Sequence, residues 1–190
     1  MAVSDLSASG RHGAREIRVW DPLVRIIHWS VALAALINSF LDGEALLHHW
    51  LGYAAAGLVA LRMVWGVVGP RPARFSSFPP SLSAARAHLA ELAAGTRRVH
   101  LSHNPLGALM VCNLWATLAA LAATGYMMGT MTFFGVEWVE ELHEAAWSWL
   151  MISVALHVGG VIFETWRTGV PLVRAMIDGR KRIPEGFEAE

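Results

Sequence analysis

The sequence contains very little cysteine and little charge. Cys112 is the single cysteine among 190 residues, so the chain cannot form an internal disulfide, a cysteine zinc site, an iron–sulfur cluster site or a C-x-x-C-H site for covalent haem. Charged residues make up 16% of the chain, against roughly a quarter in an ordinary soluble domain. The formal net charge is zero, which gives no reason to expect a nucleic-acid partner. With 55% hydrophobic residues and a mean hydropathy of +0.43, the composition predicts a membrane protein.

A cleavable signal peptide is also missing, because the first twenty residues are polar and have no apolar core. Four apolar segments follow, each close to the roughly 20 residues that a helix needs to cross a bilayer. They lie at about 24–41, 48–68, 105–128 and 142–164. We therefore predict an all-α integral membrane four-helix bundle over residues 21–166, with a polar N-terminus at 1–20 and a basic C-terminal tail at 167–190. Short links predict that the first and second segments, and the third and fourth, are antiparallel neighbours.

The link between the second and third segments, about 69–104, is longer. It begins with the proline-rich stretch "GPRPARFSSFPP" and continues with "SLSAARAHLAELAAG", whose serine and alanine/leucine periodicity predict a short capped surface helix. The stretch "SHNPLGA" then predicts a polar cap with Pro105 in the first turn of the next helix. Three histidines in this link, His88, His100 and His103, need no special function.

Basic residues predict the orientation of the chain. Apart from Arg62, all of them lie before or at the start of the first segment, in the middle link, or after the fourth segment: Arg11, Arg15, Arg18, Arg25, Arg71, Arg74, Arg86, Arg97, Arg98, Arg167, Arg174, Arg180, Lys181 and Arg182. The other two links contain acidic residues and no lysine or arginine. Because links rich in lysine and arginine stay in the cytoplasm, we predict that both termini and the middle link are cytoplasmic.

Histidines fall at two depths in this arrangement. His28 and His157 lie at the cytoplasmic level, while His143 and either His48 or His49 lie at the outer level. His143 and His157 are fourteen residues apart, which places them on one helix face about 21 Å from each other. A single histidine at a helix end is most often interfacial, but each level here has an imidazole from two helices, which is what axial bis-histidine haem ligation needs. Helix bundles commonly hold cofactors in this way.

Two arginines and several glycines accompany the histidines. Arg62 shares a face with His48 at the cytoplasmic level, and Arg25 lies one turn before His28. Neither helix offers an obvious carboxylate partner, so a haem propionate is the predicted partner; snorkelling of Arg62 to the surface is the alternative. Gly52, and the pair at 159–160, would clear space for a flat ring or else serve helix packing.

Four stretches that contain these residues resemble those of a known family. The stretches "VWDPLVRIIHW", "HHWLGYAAAGLVALRMVWGVVG", "SHNPLGAL" and "LHEAAWSWLMISVALHVGG" are similar to those of the bacterial cytochrome b561 family, close to the b-type cytochrome subunits of nickel–iron hydrogenases. The resemblance covers about residues 17–182. It implies two b-type haems with iron ligands His28 and His157 at the cytoplasmic side and His143 at the outer side. It also favours His48 over His49, since the family's ligand stands four residues before the glycine of the G-Y pair.

The predicted function is membrane electron transfer. The chain would be an electron carrier or a subunit of an oxidoreductase complex in the bacterial inner membrane, moving electrons between the quinone pool and a periplasmic c-type cytochrome or hydrogenase-like subunit. Two alternatives stay open: a stand-alone quinone oxidoreductase that uses a small donor such as superoxide, and a haem-free membrane anchor. A quinone would need polar groups near a haem edge, and the sequence offers Asn38, His49, Asn113 and Glu164 without singling one out.

Overall fold

The computed structural model describes residues 15–96 and 98–184. These residues form six α-helices and two short strands, in the order β1 (Arg15–Arg18), α1 (Pro22–Asn38), α2 (Leu46–Val68), α3 (Leu82–Ala93), α4 (Pro105–Met128), α5 (Glu137–Thr168), α6 (Leu172–Asp178) and β2 (Arg180–Ile183). Two 3-10 turns, Arg71–Ala73 and Phe75–Ser77, lie between α2 and α3. The predicted polar start before residue 15, including Arg11, lies outside the described residues, as do Arg97 and the end of the tail after residue 184.

Side-chain caps start three of the helices. Asp21 Oδ1 accepts hydrogen bonds from the amides of Leu23 and Val24, at 2.9 and 3.1 Å. The predicted surface helix is α3, and the Ser81 hydroxyl caps it. The predicted polar cap before Pro105 is Asn104, whose Oδ1 accepts from the Gly107 amide at 2.7 Å. All three caps satisfy amides that have no partner inside the helix.

Three helices, α2, α4 and α5, are long and apolar enough to cross a membrane. The first apolar segment forms α1, a shorter helix of 17 residues, which is about 26 Å long. A crossing by α1 therefore stays a prediction. Helix α5 begins at Glu137 rather than near residue 142, since Glu137 and Glu140 lie in its first turn, where the helix dipole favours negative charge.

The helices pack in two antiparallel pairs, α1 with α2 and α4 with α5, as the short links predicted. Helix α4 also packs against α2 and α3. Within the described residues, neither α1 nor α2 packs closely along α5. A gap therefore separates α5 from the α1–α2 pair.

Hydrogen bonds between polar side chains join α4 to α5 near the middle of the bundle. The amide nitrogen of Asn113 donates to the Ser153 hydroxyl at 2.8 Å, and the Trp149 indole donates to Asn113 Oδ1 at 2.9 Å. Ser153 is almost completely buried. Such hydrogen bonds hold helices together in a membrane, where apolar surface gives no advantage to helix association.

The prediction of an all-α chain is wrong in one respect, because β1 and β2 pair as an antiparallel ribbon. Arg15 lies opposite Ile183, and Arg18 lies opposite Arg180. Parts of the expected polar N-terminus and basic tail therefore form strands, and the tail region also contains α6. Glu16 pairs with Arg180 and Arg182 on the neighbouring strand, and the hydrogen bond that it accepts from Arg182 lowers the pKa of the Glu16 carboxyl.

Lys181 attaches this ribbon to the link before α4. Its ammonium group donates to the main-chain oxygens of His100 and Ser102, both at 2.8 Å, and lies 5.9 Å from the centre of the Trp20 ring. Burial lowers the pKa of Lys181 to about 8, while the Glu164 carboxylate acts in the opposite direction. The two ends of the described chain thus lie together against the middle link.

Candidate functional site

His28 on α1 and His157 on α5 face each other across the gap between the helices. Their ring centres are 6.4 Å apart and their planes are inclined at 53°. Nδ1 of His28 is buried and has no hydrogen-bond partner. The structure therefore brings together the two histidines that were predicted for the cytoplasmic level.

His48 on α2 and His143 on α5 form a second pair with the same spacing. Their ring centres are also 6.4 Å apart, with an angle of 61° between the planes. The neighbouring His49 is exposed, and its ring packs edge-on against His48 at 5.9 Å. Of the two candidates on α2, His48 is therefore the one that faces His143.

Two residues of α4 adjoin the His143 ring. Thr124 Oγ1 lies 2.8 Å from Nδ1 of His143. A Cβ atom added at Gly125 would lie 3.3 Å from Cε1 of the same ring, which is too close for easy accommodation. Sequence reasoning missed both residues, because a threonine and a glycine in an apolar helix carry no sign of what they contact.

Arg62 is buried at 6% exposure, and its surroundings differ from those predicted. Its Nη2 donates to the Ala73 carbonyl at 2.9 Å, and the guanidinium carbon lies 5.2 Å and 5.3 Å from the ring centres of Phe75 and Trp115. Nη1 is buried without a partner. The Asp21 carboxylate, which caps α1, attracts Arg62 electrostatically, and the haem propionate stays the predicted partner of Nη1. Snorkelling to the surface is wrong, because the side chain is buried.

Arg25 lies one turn before His28 on α1, and its side chain reaches α6. Its Nη1 donates to the main-chain oxygen of Ile177, and its Nε is buried without a partner. Both predicted arginines thus keep one enclosed N–H group that no described residue satisfies. A carboxylate of an added group is a suitable partner for such a donor.

The predicted glycines border open space. A Cβ atom added at Gly52, Gly159 or Gly160 would meet no other atom within 4 Å. Gly52 is half-buried in the bundle, whereas the pair at 159–160 is exposed.

These features fit a haem. An imidazole nitrogen binds a first-row transition metal at about 2 Å, so two imidazoles on opposite faces of one ion have ring centres roughly 6 Å apart. Both histidine pairs meet that spacing across a gap between helices. Among the described residues, no group of three or more His, Cys, Asp or Glu side chains is arranged to hold a bare metal ion. Two opposed ligands suit a metal that is already held by a macrocycle.

His103 has surroundings that were not predicted. Its ring packs 4.5 Å from Phe78 and 5.0 Å from Trp20, and its Nδ1 is buried without a partner. Burial lowers the pKa of His103 to about 3, and the positive charges of Lys181 and Arg62 contribute to the shift. The ring lines a cavity of about 250 Å³ between the middle link and the start of α4. No role for this histidine was predicted, because its surroundings depend on contacts with residues far away in the chain.

Two polar residues that the sequence offered to a quinone are already engaged. Asn113 binds Trp149 and Ser153, and Glu164 forms an ion pair with Arg167 at 2.8 Å. Asn38 donates weakly to the main-chain oxygen of His48 at 3.4 Å, and its Oδ1 is buried without a partner.

Comparison with known proteins identifies the family of the chain. A family model described as prokaryotic cytochrome b561 matches residues 19–179, which include all four paired histidines. No curated protein matches the chain. The match covers most of the sequence, and the helical fold with its long apolar helices is consistent with a membrane bundle. The chain therefore belongs to the prokaryotic cytochrome b561 family and is a haem-binding membrane b-type cytochrome of electron transfer.

Proposed function

We propose that the chain holds two b-type haems, one between His28 and His157 and one between His48 and His143, and carries electrons between the quinone pool and a redox partner. The observation that carries this proposal is the pair of imidazole contacts, each at 6.4 Å, across the gap beside α5. When bound, a haem supplies reversible one-electron chemistry at its iron.

The chain's own residues set what such a site does. With a histidine on each side, a bound haem would have no open iron position, which would disfavour oxygen binding and favour electron transfer. Arg25 and Arg62 each have an enclosed N–H group for a propionate, and Gly52 leaves room beside the helix. The histidines at 143 and 157 are separated by about 21 Å along α5.

The location that we propose is the inner membrane, with four crossings and with both termini in the cytoplasm. The support is the charge distribution, since basic residues flank the bundle at the middle link and at both ends. The opposite end of the bundle carries six exposed carboxylates, from Asp42, Glu44, Glu137, Glu140, Glu141 and Glu144. An acidic surface of this kind suits a basic c-type cytochrome or a basic surface of another redox subunit.

The first test is the haem content of the purified protein, measured with a dithionite-reduced difference spectrum. We expect two low-spin b-type haems per chain. His143→Ala and His157→Ala should each lose one of them, and the double variant should lose both. The exposed His49→Ala serves as the matched control and should keep two.

Other results would overturn specific parts of the proposal. A single haem in the unaltered protein would mean that one of the two histidine pairs does not bind haem. Colourless protein after expression with ample haem would leave the role of a membrane anchor instead. Steady turnover with a quinone and superoxide, without any added protein, would favour the stand-alone oxidoreductase.

A further inference from the structure

The hydroxyl of Thr124 contacts His143 and the backbone of its own helix at the same time. Its Oγ1 lies 2.8 Å from Nδ1 of His143, 2.8 Å from the Ala120 carbonyl oxygen and 3.3 Å from that of Leu121. Thr124 is 3% exposed, so water does not compete for these contacts. The hydrogen-bond contacts of this hydroxyl therefore all lie inside the bundle.

The chemistry of these groups determines where the proton lies. A threonine hydroxyl has one hydrogen and two lone pairs, whereas a main-chain carbonyl can only accept. The hydrogen therefore points to Ala120, because a 2.8 Å contact between two oxygens without a hydrogen between them would be repulsive. The oxygen is then left to accept from His143, which places the imidazole hydrogen on Nδ1 and the lone pair on Nε2.

We propose that Thr124 is a positioning residue for the His48–His143 site, where it accepts a hydrogen bond from Nδ1 of His143 and presents Nε2 to the haem iron. This inference rests on the proposed haem at that pair. Gly125 has a related role, because a side chain there would press on Cε1 of the ring. The ring is thus held by a hydrogen bond at one edge and by close backbone contact beside it.

The hydrogen bond also distinguishes His143 from other histidines in the two pairs. Nδ1 of His28 and Nδ1 of His48 are both buried without a partner. An imidazole that donates its second N–H to an acceptor is a more basic ligand for a metal. A more basic ligand favours ferric over ferrous iron, so Thr124 holds the potential of this haem below the value it would otherwise have.

The test is a redox titration of the purified holoprotein and of Thr124→Val, which has nearly the same shape but no hydroxyl. The haem at this site is identified as the one that His143→Ala loses. In Thr124→Val its equilibrium should shift five- to tenfold toward the reduced form, which corresponds to roughly 40–60 mV at 59 mV per tenfold change. The other haem should keep its potential.

Three variants make the result specific. Thr124→Ser restores the hydroxyl and should return the potential to that of the unaltered protein. Thr117→Val is the matched control. Thr117 precedes Thr124 on the same helix, and its hydroxyl donates to the Asn113 carbonyl at 2.8 Å. Thr124→Ala repeats the test if the valine variant does not accumulate. Transfer of haem to excess apomyoglobin gives a second readout, which should be faster for valine and unchanged for serine.

The outcomes separate this inference from the proposed function. Two haems with unshifted potentials in both Thr124→Val and Thr124→Ala would overturn the role of Thr124 and leave the electron-transfer function standing. An equal shift in Thr117→Val would also overturn it, because the effect would then belong to α4 as a whole. Absence of a haem at the His48–His143 pair in the unaltered protein would overturn both.

Discussion

Arg62 donates a hydrogen bond from Nη2 to the main-chain oxygen of Ala73 at 2.9 Å. The contact joins α2 to the 3-10 turn that follows it and holds a permanent positive charge in a buried position. Since Nη1 of the same guanidinium has no partner, the charge is oriented but only partly compensated. A nearby redox centre would experience it directly.

Replacement of Arg62 by methionine should lower the potential of the haem at the His28–His157 pair. A nearby positive charge stabilises the reduced haem, which carries one more negative charge. Removal of that positive charge should shift the redox equilibrium about tenfold toward the oxidised form, or roughly 59 mV. Potentiometric titration measures the shift. Arg174→Met removes an equal charge from a side chain that is 66% exposed and should leave both potentials in place. A larger shift in Arg174→Met than in Arg62→Met would contradict this prediction.

Acid should destabilise the protein partly through His103. Its pKa in the folded protein is about 3, below the ordinary value of 6.5. The stability associated with the neutral ring is therefore complete above about pH 6.5 and is lost as the pH falls toward 3. At pH 5 the loss from this residue is at most roughly 2 kcal/mol. Thermal midpoints at pH 7.5 and pH 5 should differ less in His103→Gln than in the unaltered protein.

A matched control for that experiment is His49→Gln, because His49 is exposed. It should show the same loss between the two pH values as the unaltered protein. An equal loss in His103→Gln would mean that the buried ring does not contribute.

Neutralising part of the acidic surface should slow electron exchange with a basic c-type cytochrome. The triple change of Glu137, Glu140 and Glu141 to glutamine removes three exposed charges, and steering by charge commonly changes association rates by about tenfold or more. Stopped-flow rates should fall several-fold at low ionic strength and converge with those of the unaltered protein at high salt. Glu91→Gln, in the middle link, is the control. Rates that are equal at low salt would exclude this surface as the docking site.

Loss of the Asn113 side chain should weaken the contact between α4 and α5. Asn113→Leu leaves the Trp149 indole and the Ser153 hydroxyl without their partner, at a cost of roughly 1–2 kcal/mol. Unfolding in sodium dodecyl sulfate measures the change. Cys112→Ala alters the neighbouring position, which makes no side-chain hydrogen bond in the described structure, and it should have a smaller effect. A larger effect of Cys112→Ala than of Asn113→Leu would mean that side-chain packing, and not the hydrogen bonds of Asn113, joins the helices.

Much of the candidate site could be predicted from the sequence because it depends on periodicity. Fourteen residues bring an α-helix almost back to the same face, so His143 and His157 had to point in similar directions. Hydropathy and the caps at Ser81 and before Pro105 located most helices to within a few residues. The positions of the charged residues in the sequence also separated the basic end of the bundle from its acidic end.

The missed features depend on contacts between residues far apart in the chain. Nothing near Glu16 indicates that it pairs with Arg182. Nothing near Lys181 indicates that its ammonium group will donate hydrogen bonds to the carbonyls of residues 100 and 102. The same applies to Thr124, whose partner lies on the next helix. The surroundings of Arg62 were not predictable either, because the Ala73 carbonyl and the rings of Phe75 and Trp115 come from outside its helix.

The β1–β2 ribbon bears on the number of times that the chain crosses the membrane. Two strands that share hydrogen bonds lie on one side of a bilayer, so the chain between residues 18 and 180 must cross the membrane an even number of times. The three long apolar helices alone would make that number odd. Parity therefore favours α1, in spite of its 17 residues, as the fourth crossing.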